Sequence, residues 1–185
     1  METFIARYAR AMQRAPRKRI EAPPLTREAF LPFGDVVLAD RPDITPVMVN
    51  FGTATRLNHA GSLENKRPHA HPNLATFRCE PWSRFPVLAE SMEKHPFSSQ
   101  LFVPMKVERY LVVVAPGTDA PDIEGLRAFV ATPGQSVIYG AGVWHMPLIV
   151  FGTPAEFVMF VWEDDTRDDC VVAKLAEPVE IALPA

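Results

Sequence analysis

A histidine that follows a glycine-rich turn is the most informative chemical feature of the sequence. The segment from Gly134 to His145 begins with apolar residues suited to a strand and passes through Gly140 and Gly142 before the imidazole. Glycine accepts positive φ and close backbone approach, so such a turn can hold the His145 side chain at the opening of a barrel. The ring can there ligate a metal or transfer protons. The alternative is a histidine hydrogen-bonded at a turn, with no ligand role.

This segment resembles the second motif of the cupin family, in which a glycine, a Pro-x-Gly turn and a metal-binding histidine follow at fixed spacing. Gly140 stands in place of the proline, and His145 takes the position of the histidine. A distorted form of the first cupin motif lies upstream, where the family has two histidines and then a glutamate. Glu93 takes the place of the first histidine, His95 of the second and Gln100 of the glutamate.

The resemblance to cupins implies four candidate metal ligands, which are Glu93, His95, Gln100 and His145. Imidazole and carboxylate suit a divalent ion such as nickel, manganese, iron or zinc. The amide of Gln100 is a weak, neutral ligand, so we expect modest metal affinity. In the alternative the site works without metal, and His95 and Gln100 serve acid–base and hydrogen-bonding roles.

A series of short segments between residues 74 and 172 occurs in an order shared with one enzyme family. These segments are Phe77–Pro81, Met92–Pro96, Ser99–Gln100, Phe102–Met105, Tyr110–Ala115, Pro121–Asp122, Leu126–Phe129, Gly142–His145 with Pro147, and Asp169–Val171. The stretch Leu25–Val36 also fits the opening of that family. On these residues the chain resembles the ureidoglycolate lyases of allantoin breakdown.

The resemblance implies cleavage of ureidoglycolate to glyoxylate and urea by a homodimeric, cupin-like enzyme, with or without a divalent metal such as nickel or manganese. Elimination needs a base for the hydroxyl proton, an acid for the departing nitrogen and a clamp for the carboxylate. His95 and His145 are the acid–base candidates, because imidazole titrates near neutrality. A metal would chelate the carboxylate and hydroxyl and lower the pKa of the hydroxyl.

Two arginines in apolar candidate strands, Arg78 and Arg127, are the candidates for the carboxylate clamp. A guanidinium binds a carboxylate in bidentate geometry, although an internal ion pair is the alternative for either side chain. Lys106, at a strand end, is a third cation and a catalytic candidate.

Three more side chains complete the predicted site, and each is equally suited to a structural role. Ser99 and Tyr139 can hydrogen-bond the hydroxyl or the urea of the substrate. Trp144, beside His145, can form the floor of the pocket, although packing in the core is the more common fate of tryptophan.

Two other functions compete with the lyase. One is a metal-dependent cupin oxygenase or isomerase, which consumption of dioxygen would indicate. The other is a non-catalytic barrel that binds a small carboxylate, which saturable binding without turnover would indicate.

The strands that must position these residues are short apolar runs separated by turns, which predicts an all-β sandwich or barrel with few short helices. The resemblance implies which of these it is, a cupin-like double-stranded β-barrel. The candidate strands are Leu74–Arg78, Gln100–Pro104, Arg109–Ala115, Arg127–Ala131, Ser136–Tyr139, Met146–Val150, Glu156–Glu163 and Val179–Leu183. Marginal helical turns are expected after Thr26 and near residues 86–91 and 122–125. We interpret His69, His71 and the acidic run Glu163–Asp169 as solvated loops.

The 185 residues suffice for one domain, assigned to residues 23–185, after a basic extension over residues 1–22. Within that extension, apolar residues at helical spacing predict an amphipathic helix over residues 2–14. The net charge of −3 argues against a nucleic-acid partner. Two widely spaced cysteines favour a reducing compartment, so we expect a cytoplasmic protein that does not enter membranes. The basic N-terminus leaves organellar targeting open.

Overall fold

Strands account for most of the regular structure in the computed structural model, which describes residues 18–184. The strands are β1 Arg19–Glu21, β2 Gly34–Val37, β3 Val47–Val49, β4 Ala54–Arg56, β5 His71–Cys79, β6 Val87–Lys94, β7 Gln100–Lys106, β8 Arg109–Ala115, β9 Arg127–Ala131, β10 Ser136–Tyr139, β11 Trp144–His145, β12 Ile149–Phe151, β13 Ala155–Glu163 and β14 Val171–Ala182. The helix α1 spans Arg27–Phe30, and 3-10 turns lie at Leu31–Phe33, Asn50–Gly52 and Arg167–Asp169. The expected all-β, cupin-like barrel is confirmed.

Two sheets form the body of the domain, and β3 and β4 form a separate hairpin. The first sheet has the order β1-β14-β6-β11-β8-β12, with β9 on the other edge of β8. The second has the order β2-β10-β7-β13-β5. All pairs are antiparallel except β1 with β14.

The first sheet nearly closes on itself through the residues that follow β1. The Ala22 amide donates to the Ala182 carbonyl at 2.9 Å, and the Leu25 amide donates to the Val130 carbonyl at 2.8 Å. One segment therefore joins β14 to β9, at opposite ends of the strand order. The curled sheet has an interior of its own on one face and packs against the second sheet with the other.

Two apolar clusters result, one on each face of the first sheet. The cluster shared by the two sheets includes Tyr110, Val112, Phe157 and Val161. The cluster inside the first sheet is made by the alternating residues, including Met92, Leu111, Val113, Trp144 and Ile181. Because successive side chains of a strand point to opposite faces, strands β8, β9 and β12 supply both clusters.

The predicted elements differ from the structure at several places. The helical turn expected near residues 86–91 is wrong, because Val87–Lys94 is the central strand β6. Strand β14 begins at Val171 and not at Val179. The turn after Thr26 is confirmed, since the Thr26 hydroxyl accepts the Ala29 amide at 3.3 Å.

The sheets of the domain include residues before position 23, where the domain was expected to begin. Residues 19–21, assigned to the extension over 1–22, form the strand β1. The predicted helix over 2–14 falls outside residues 18–184. Within the described range, no helix is both long and apolar enough to cross a membrane.

Candidate functional site

His145 and Glu93 face each other across neighbouring strands at one end of the shared apolar cluster. The two-residue strand β11 lies between β6 and β8, and its register places His145 opposite Glu93 on one side and Val114 on the other. Nε2 of His145 lies 3.7 Å from Oε1 of Glu93. The turn before β11 requires glycine, since Gly142 adopts a φ of 86°.

His95 joins this pair from the loop directly after β6. Its Nδ1 lies 2.7 Å from the carbonyl oxygen of Asp169, and its own carbonyl accepts the Gly142 amide at 2.8 Å. The second bond ties the His95 loop to the glycine turn that carries His145. The two imidazole rings are stacked with centroids 5.6 Å apart.

Backbone carbonyls hold both imidazole rings through Nδ1, which leaves Nε2 of each ring without a partner. Nδ1 of His145 lies 3.0 Å from the Val143 carbonyl, as Nδ1 of His95 does near that of Asp169. A carbonyl only accepts, so each Nδ1 carries the proton and each Nε2 presents a lone pair. Both Nε2 atoms are buried and have no hydrogen-bond partner among residues 18–184.

The donor set fits a divalent metal ion. Glu93, His95 and His145 each offer one ligand atom, and these atoms all lie within 4.8 Å of one another. Two imidazole nitrogens and a carboxylate oxygen are a common set for nickel, manganese, iron or zinc. Unpartnered lone pairs in a buried place otherwise cost free energy, so a ligand that accepts them would stabilise the arrangement.

Burial dominates the electrostatics of the cluster. It lowers the pKa of His145 to about 3, against the weaker opposing effect of the Val143 hydrogen bond. Burial also raises the pKa of the Glu93 carboxyl, which the neighbouring His95 partly offsets. His145 is therefore neutral at physiological pH, unlike the sequence-based expectation of an imidazole that titrates near neutrality.

The comparisons with known proteins agree with this geometry. A family model described as ureidoglycolate lyase matches residues 17–182. The chain belongs to the ureidoglycolate lyase family. Relatives named ureidoglycolate lyase include one from Pseudomonas syringae pv. syringae (strain B728a), 38% identical over 136 residues, or 74% of this chain and 78% of the relative. Another, from Burkholderia mallei (strain NCTC 10229), is 37% identical over 151 residues, or 82% of this chain and 86% of the relative.

Similarity to solved structures is lower. The oxalate decarboxylase of Bacillus subtilis overlaps with a TM-score of 0.38 and 16% identity, over 56% of this chain and 24% of that chain. A 3,4-ketoisomerase from Helicobacter canadensis overlaps with a TM-score of 0.40 and 12% identity, over 74% of this chain and 88% of that chain.

Two further residues that the ureidoglycolate lyase resemblance suggested lie beside the cluster. The Tyr139 ring stacks on His145 with centroids 4.2 Å apart and an interplanar angle of 6°. Burial, and then the charge of Glu93, raise the pKa of the Tyr139 phenol. Gln100 is opposite Tyr139 in the β7–β10 register and is buried, and its Oε1 has no hydrogen-bond partner within the described part of the chain.

Arg127, one of the two predicted carboxylate clamps, lies in the same cross-strand row of residues as His145. Val114 lies opposite Arg127 on one side and His145 on the other. Paired residues share a face, so Arg127 lies on the row of His145 and Glu93, two strands from the imidazole. Its exposed guanidinium donates to the carbonyls of Glu124 and Leu126.

The structure does not bring Arg78 or Lys106 to the cluster. The Arg78 side chain is 90% exposed on the edge strand β5, with Nε 3.7 Å from Oε1 of Glu156. Lys106 is exposed at the far end of β7 from Gln100, roughly 20 Å away at ~3.3 Å per residue. The strands containing them were predicted, but sequence alone did not show which face or end was involved.

Ser99 and Trp144 are buried by structural contacts and do not face the cluster as predicted. The Ser99 hydroxyl accepts the Glu64 amide at 2.8 Å. Trp144 alternates with His145 along β11 and lies in the cluster inside the first sheet. It therefore does not form the floor of a pocket at His145.

Sequence reasoning missed the loop that orients His95. Asp169 belongs to the acidic run that was interpreted as solvated, yet its Oδ1 accepts from Nη1 of Arg67 at 3.0 Å. Arg67 also pairs with Asp164 and packs on the Phe97 ring at 3.9 Å. The sequence did contain a signal, because Asp169–Val171 is one of the segments shared with the family. The structure gives the physical reason for that segment: the Asp169 carbonyl accepts a hydrogen bond from His95.

Proposed function

We propose that the protein is a carbon–nitrogen lyase that cleaves ureidoglycolate to glyoxylate and urea. The observation that carries this proposal is the convergence of the Glu93 carboxylate with two imidazole Nε2 atoms, in a chain of the ureidoglycolate lyase family. The substrate carbon bears a hydroxyl, a carboxylate and a ureido nitrogen. Cleavage requires a polar cluster that binds the first two groups and moves one proton.

A divalent ion, nickel or manganese, is part of this proposal. Glu93, His95 and His145 would hold it, because their ligand atoms converge and both Nε2 atoms lack partners among residues 18–184. Gln100, the fourth ligand that the cupin resemblance implied, offers only a neutral amide oxygen and is not included in this set. When bound, such an ion chelates the substrate carboxylate and hydroxyl and lowers the pKa of the hydroxyl.

Glu93 is the group of the chain best placed to carry the proton. Its Oε1 faces His145, while its Oε2 lies 3.9 Å from the thiol of the exposed Cys170, on the open side of the cluster. Without a metal, burial raises the pKa of this carboxyl, so its ionised form is a stronger base than an exposed glutamate. If Oε1 holds the metal, Oε2 remains to accept the proton. The hydroxyl O–H bond breaks as the carbonyl forms and the C–N bond breaks. Glu93 then returns the proton to the departing urea nitrogen.

Arg127 is the proposed partner of the substrate carboxylate. It lies on the inward row of the cluster and its guanidinium is exposed. Its recorded partners are backbone carbonyls, which leave the positive charge available for a carboxylate. Arg78 is too exposed and too far along the sheet edge for this role.

The deciding experiment measures release of urea and glyoxylate from racemic ureidoglycolate by the purified protein. A protein-free sample gives the spontaneous rate, and parallel samples contain a chelator, with nickel or manganese then added back. We expect urea and glyoxylate in equal amounts without ammonia, loss of rate on chelation and recovery with one metal.

The outcomes separate the two parts of the proposal. Urea at the spontaneous rate under every metal condition would overturn the lyase assignment. Full activity in the chelated, metal-free protein would retain the lyase and reject the metal. Glu93, free of a metal, would then carry the proton, with the Nε2 atoms of His95 and His145 as further acceptors.

We also propose a homodimer in the cytoplasm. Two features support the homodimer: the nine-residue strand β5 is the edge of its sheet, and its outward Leu74 is 71% exposed. Light scattering after size exclusion should give twice the chain mass, with Leu74→Lys shifted toward monomer, and a wild-type monomer would reject the homodimer. The two free cysteines fit a reducing compartment, which cell fractionation tests directly.

A further inference from the structure

A hydrogen-bonded amide and carboxylate, Asn73 and Glu163, lie beyond the cluster on the second sheet. Nδ2 of Asn73 donates to Oε2 of Glu163 at 2.7 Å. Along β5, Leu74 points outward while Ala75 packs against the shared apolar cluster. Asn73 alternates with Leu74, so its side chain is on the inward face, toward the first sheet.

Strand register places Asn73 in the same inward row as Gln100. Asn73 is opposite Val161, Val161 is opposite Gln100, and Gln100 is opposite Tyr139. Strands lie ~4.8 Å apart, so the backbones at Gln100 and Asn73 are about 10 Å apart. The two amide side chains therefore lie on either side of Val161, a spacing that suits a ligand group of a few atoms between them.

Glu163 lies on the same inward face as Val161, two residues farther along β13. Its hydrogen bond from Asn73 holds the carboxylate beside the row that runs from Tyr139 through Gln100 and Val161 to Asn73. Asn73 and Glu163 thus extend the polar side chains from the imidazoles toward the edge strand.

The carbonyl oxygen of Gln100 is a buried acceptor without a donor. Gln100 is 5% exposed, and its Oε1 has no hydrogen-bond partner within the described range. A buried acceptor left without a donor costs free energy, which a ligand N–H group would recover. Oδ1 of Asn73 and the Glu163 carboxylate add acceptors, while the amide nitrogens of Gln100 and Asn73 are donors. The complementary ligand is therefore a neutral group that has both N–H donors and a carbonyl acceptor, as a ureido group does.

We propose that Gln100, Asn73 and Glu163 form the subsite that binds the ureido group, an assignment that rests on the proposed lyase function. The ureido group offers three N–H donors to these acceptors. The Glu163 carboxylate would repel the substrate carboxylate, which therefore points the other way along the cluster, toward the metal ligands and Arg127. The subsite thus sets both the preference for a ureido leaving group and the direction in which the substrate binds.

The first test is Gln100→Leu, which removes the unpartnered acceptor and keeps the approximate shape. Its KM for ureidoglycolate should rise about tenfold or more, the effect of one lost buried hydrogen bond. Because Oε1 has no partner to lose among residues 18–184, the stability to denaturant should be unchanged or higher. A variant with wild-type KM would overturn the role of Gln100.

The second test uses the two products as inhibitors of the assembled enzyme. Asn73→Ala should weaken inhibition by urea, at concentrations below those that unfold the protein, at least fivefold and leave inhibition by glyoxylate unchanged. Arg127→Gln should do the reverse. Thr76→Ala, on the outward face of the same strand β5, is the matched control and should change neither.

The outcomes distinguish this subsite from the function on which it rests. A wild-type protein with no turnover would reject the lyase and the subsite together. A turning-over wild type whose Asn73→Ala variant binds urea normally, or loses urea and glyoxylate equally, would reject the subsite alone. Selective loss of urea binding supports it, since general damage to the fold would weaken both products.

Discussion

The two faces of the seven-stranded sheet carry the same strands but different kinds of interior. On the face inside the sheet, Met92 and Trp144 pack among apolar side chains. On the other face, the next residues in the chain, Glu93 and His145, place polar groups at one end of the apolar cluster that the two sheets share. Adjacent residues of β6 and β11 therefore have different roles: one packs in the apolar interior and the next faces the polar cluster.

This difference shows how the fold can tolerate a costly site. Buried polar atoms without partners destabilise a protein, and the two imidazole Nε2 atoms are such atoms within residues 18–184. Their positions are fixed because Met92 and Trp144 anchor the same two short strand segments from behind. The apolar face stabilises the fold, and the polar face keeps imidazole lone pairs available to bind a ligand.

The largest expected effect comes from removing the imidazole on the polar face. His145→Ala should reduce turnover by a factor of ~10²–10⁴, because the residue holds the metal or transfers the proton. Steady-state release of urea and glyoxylate measures this. The fold should survive, since the one side-chain hydrogen bond of His145 in the described part of the chain goes to the nearby Val143 carbonyl.

The matched control for this variant is His69→Ala. His69 is exposed and outside the cluster, so turnover should remain close to wild type. Wild-type activity in a folded His145→Ala protein would remove His145 from the mechanism and end the proposed division between the two faces.

Removing the neighbouring side chain should affect stability first. Trp144→Ala should lower the free energy of unfolding by about 3–5 kcal/mol, the usual cost of deleting a fully buried tryptophan. Denaturant titration measures the loss, and kcat of the folded fraction should fall far less than in His145→Ala. Trp162→Ala, half-buried on the outer face of the second sheet, should cost less than half as much. Equal losses at both positions would contradict the packed interior.

The sequence predicted the strands better than the faces of those strands. Short apolar runs between turn residues identified β7, β8, β9, β10 and β13, whereas β6 was mistaken for a helical turn. Its buried apolar residues Val87, Ala89 and Met92 are spaced by two and then three, because the pairing with β14 has a register shift nearby. Alternation fails at such an irregularity, and a spacing of three favours a helix.

At the site, motif spacing identified the residues that lie in the two motifs, and it missed the residues that only long-range strand pairing brings to the site. Glu93 and His145 lie on the paired strands β6 and β11, and His95 directly follows β6, so the motif positions named by the resemblance meet in space. Asn73 and Glu163 become neighbours only through the β5–β13 register. Their catalytic and binding roles stay predictions until the variants are measured.

The burial that keeps His145 neutral predicts a pH dependence of stability. Burial lowers its pKa to about 3 from the ordinary 6.5. Between these values the unfolded chain binds more protons, so the free energy of unfolding falls as the pH drops from 6.5 toward 3. At pH 5 the loss from this one group is about 2 kcal/mol.

The comparison of wild type with His145→Gln isolates that contribution. Denaturant unfolding of the metal-free proteins at pH 7 and pH 5 should give a larger drop for the wild type. Glu93, whose pKa burial raises, acts in the opposite direction and is present in both proteins. Identical drops in the two proteins would show that His145 does not titrate as its buried position requires.

The smallest expected effect separates Ser99 from its neighbour Gln100. The Ser99 hydroxyl accepts the Glu64 amide at 2.8 Å, so its hydrogen-bonding capacity serves the loop that runs beside β7. Ser99→Ala should lower the free energy of unfolding by about 1 kcal/mol, the cost of one hydrogen bond, and leave KM for ureidoglycolate unchanged. Gln100→Leu should do the opposite, because its buried acceptor has no partner among the described residues. A raised KM in Ser99→Ala would return Ser99 to the substrate site and blur the distinction between polar groups that hold the fold and those kept free for a ligand.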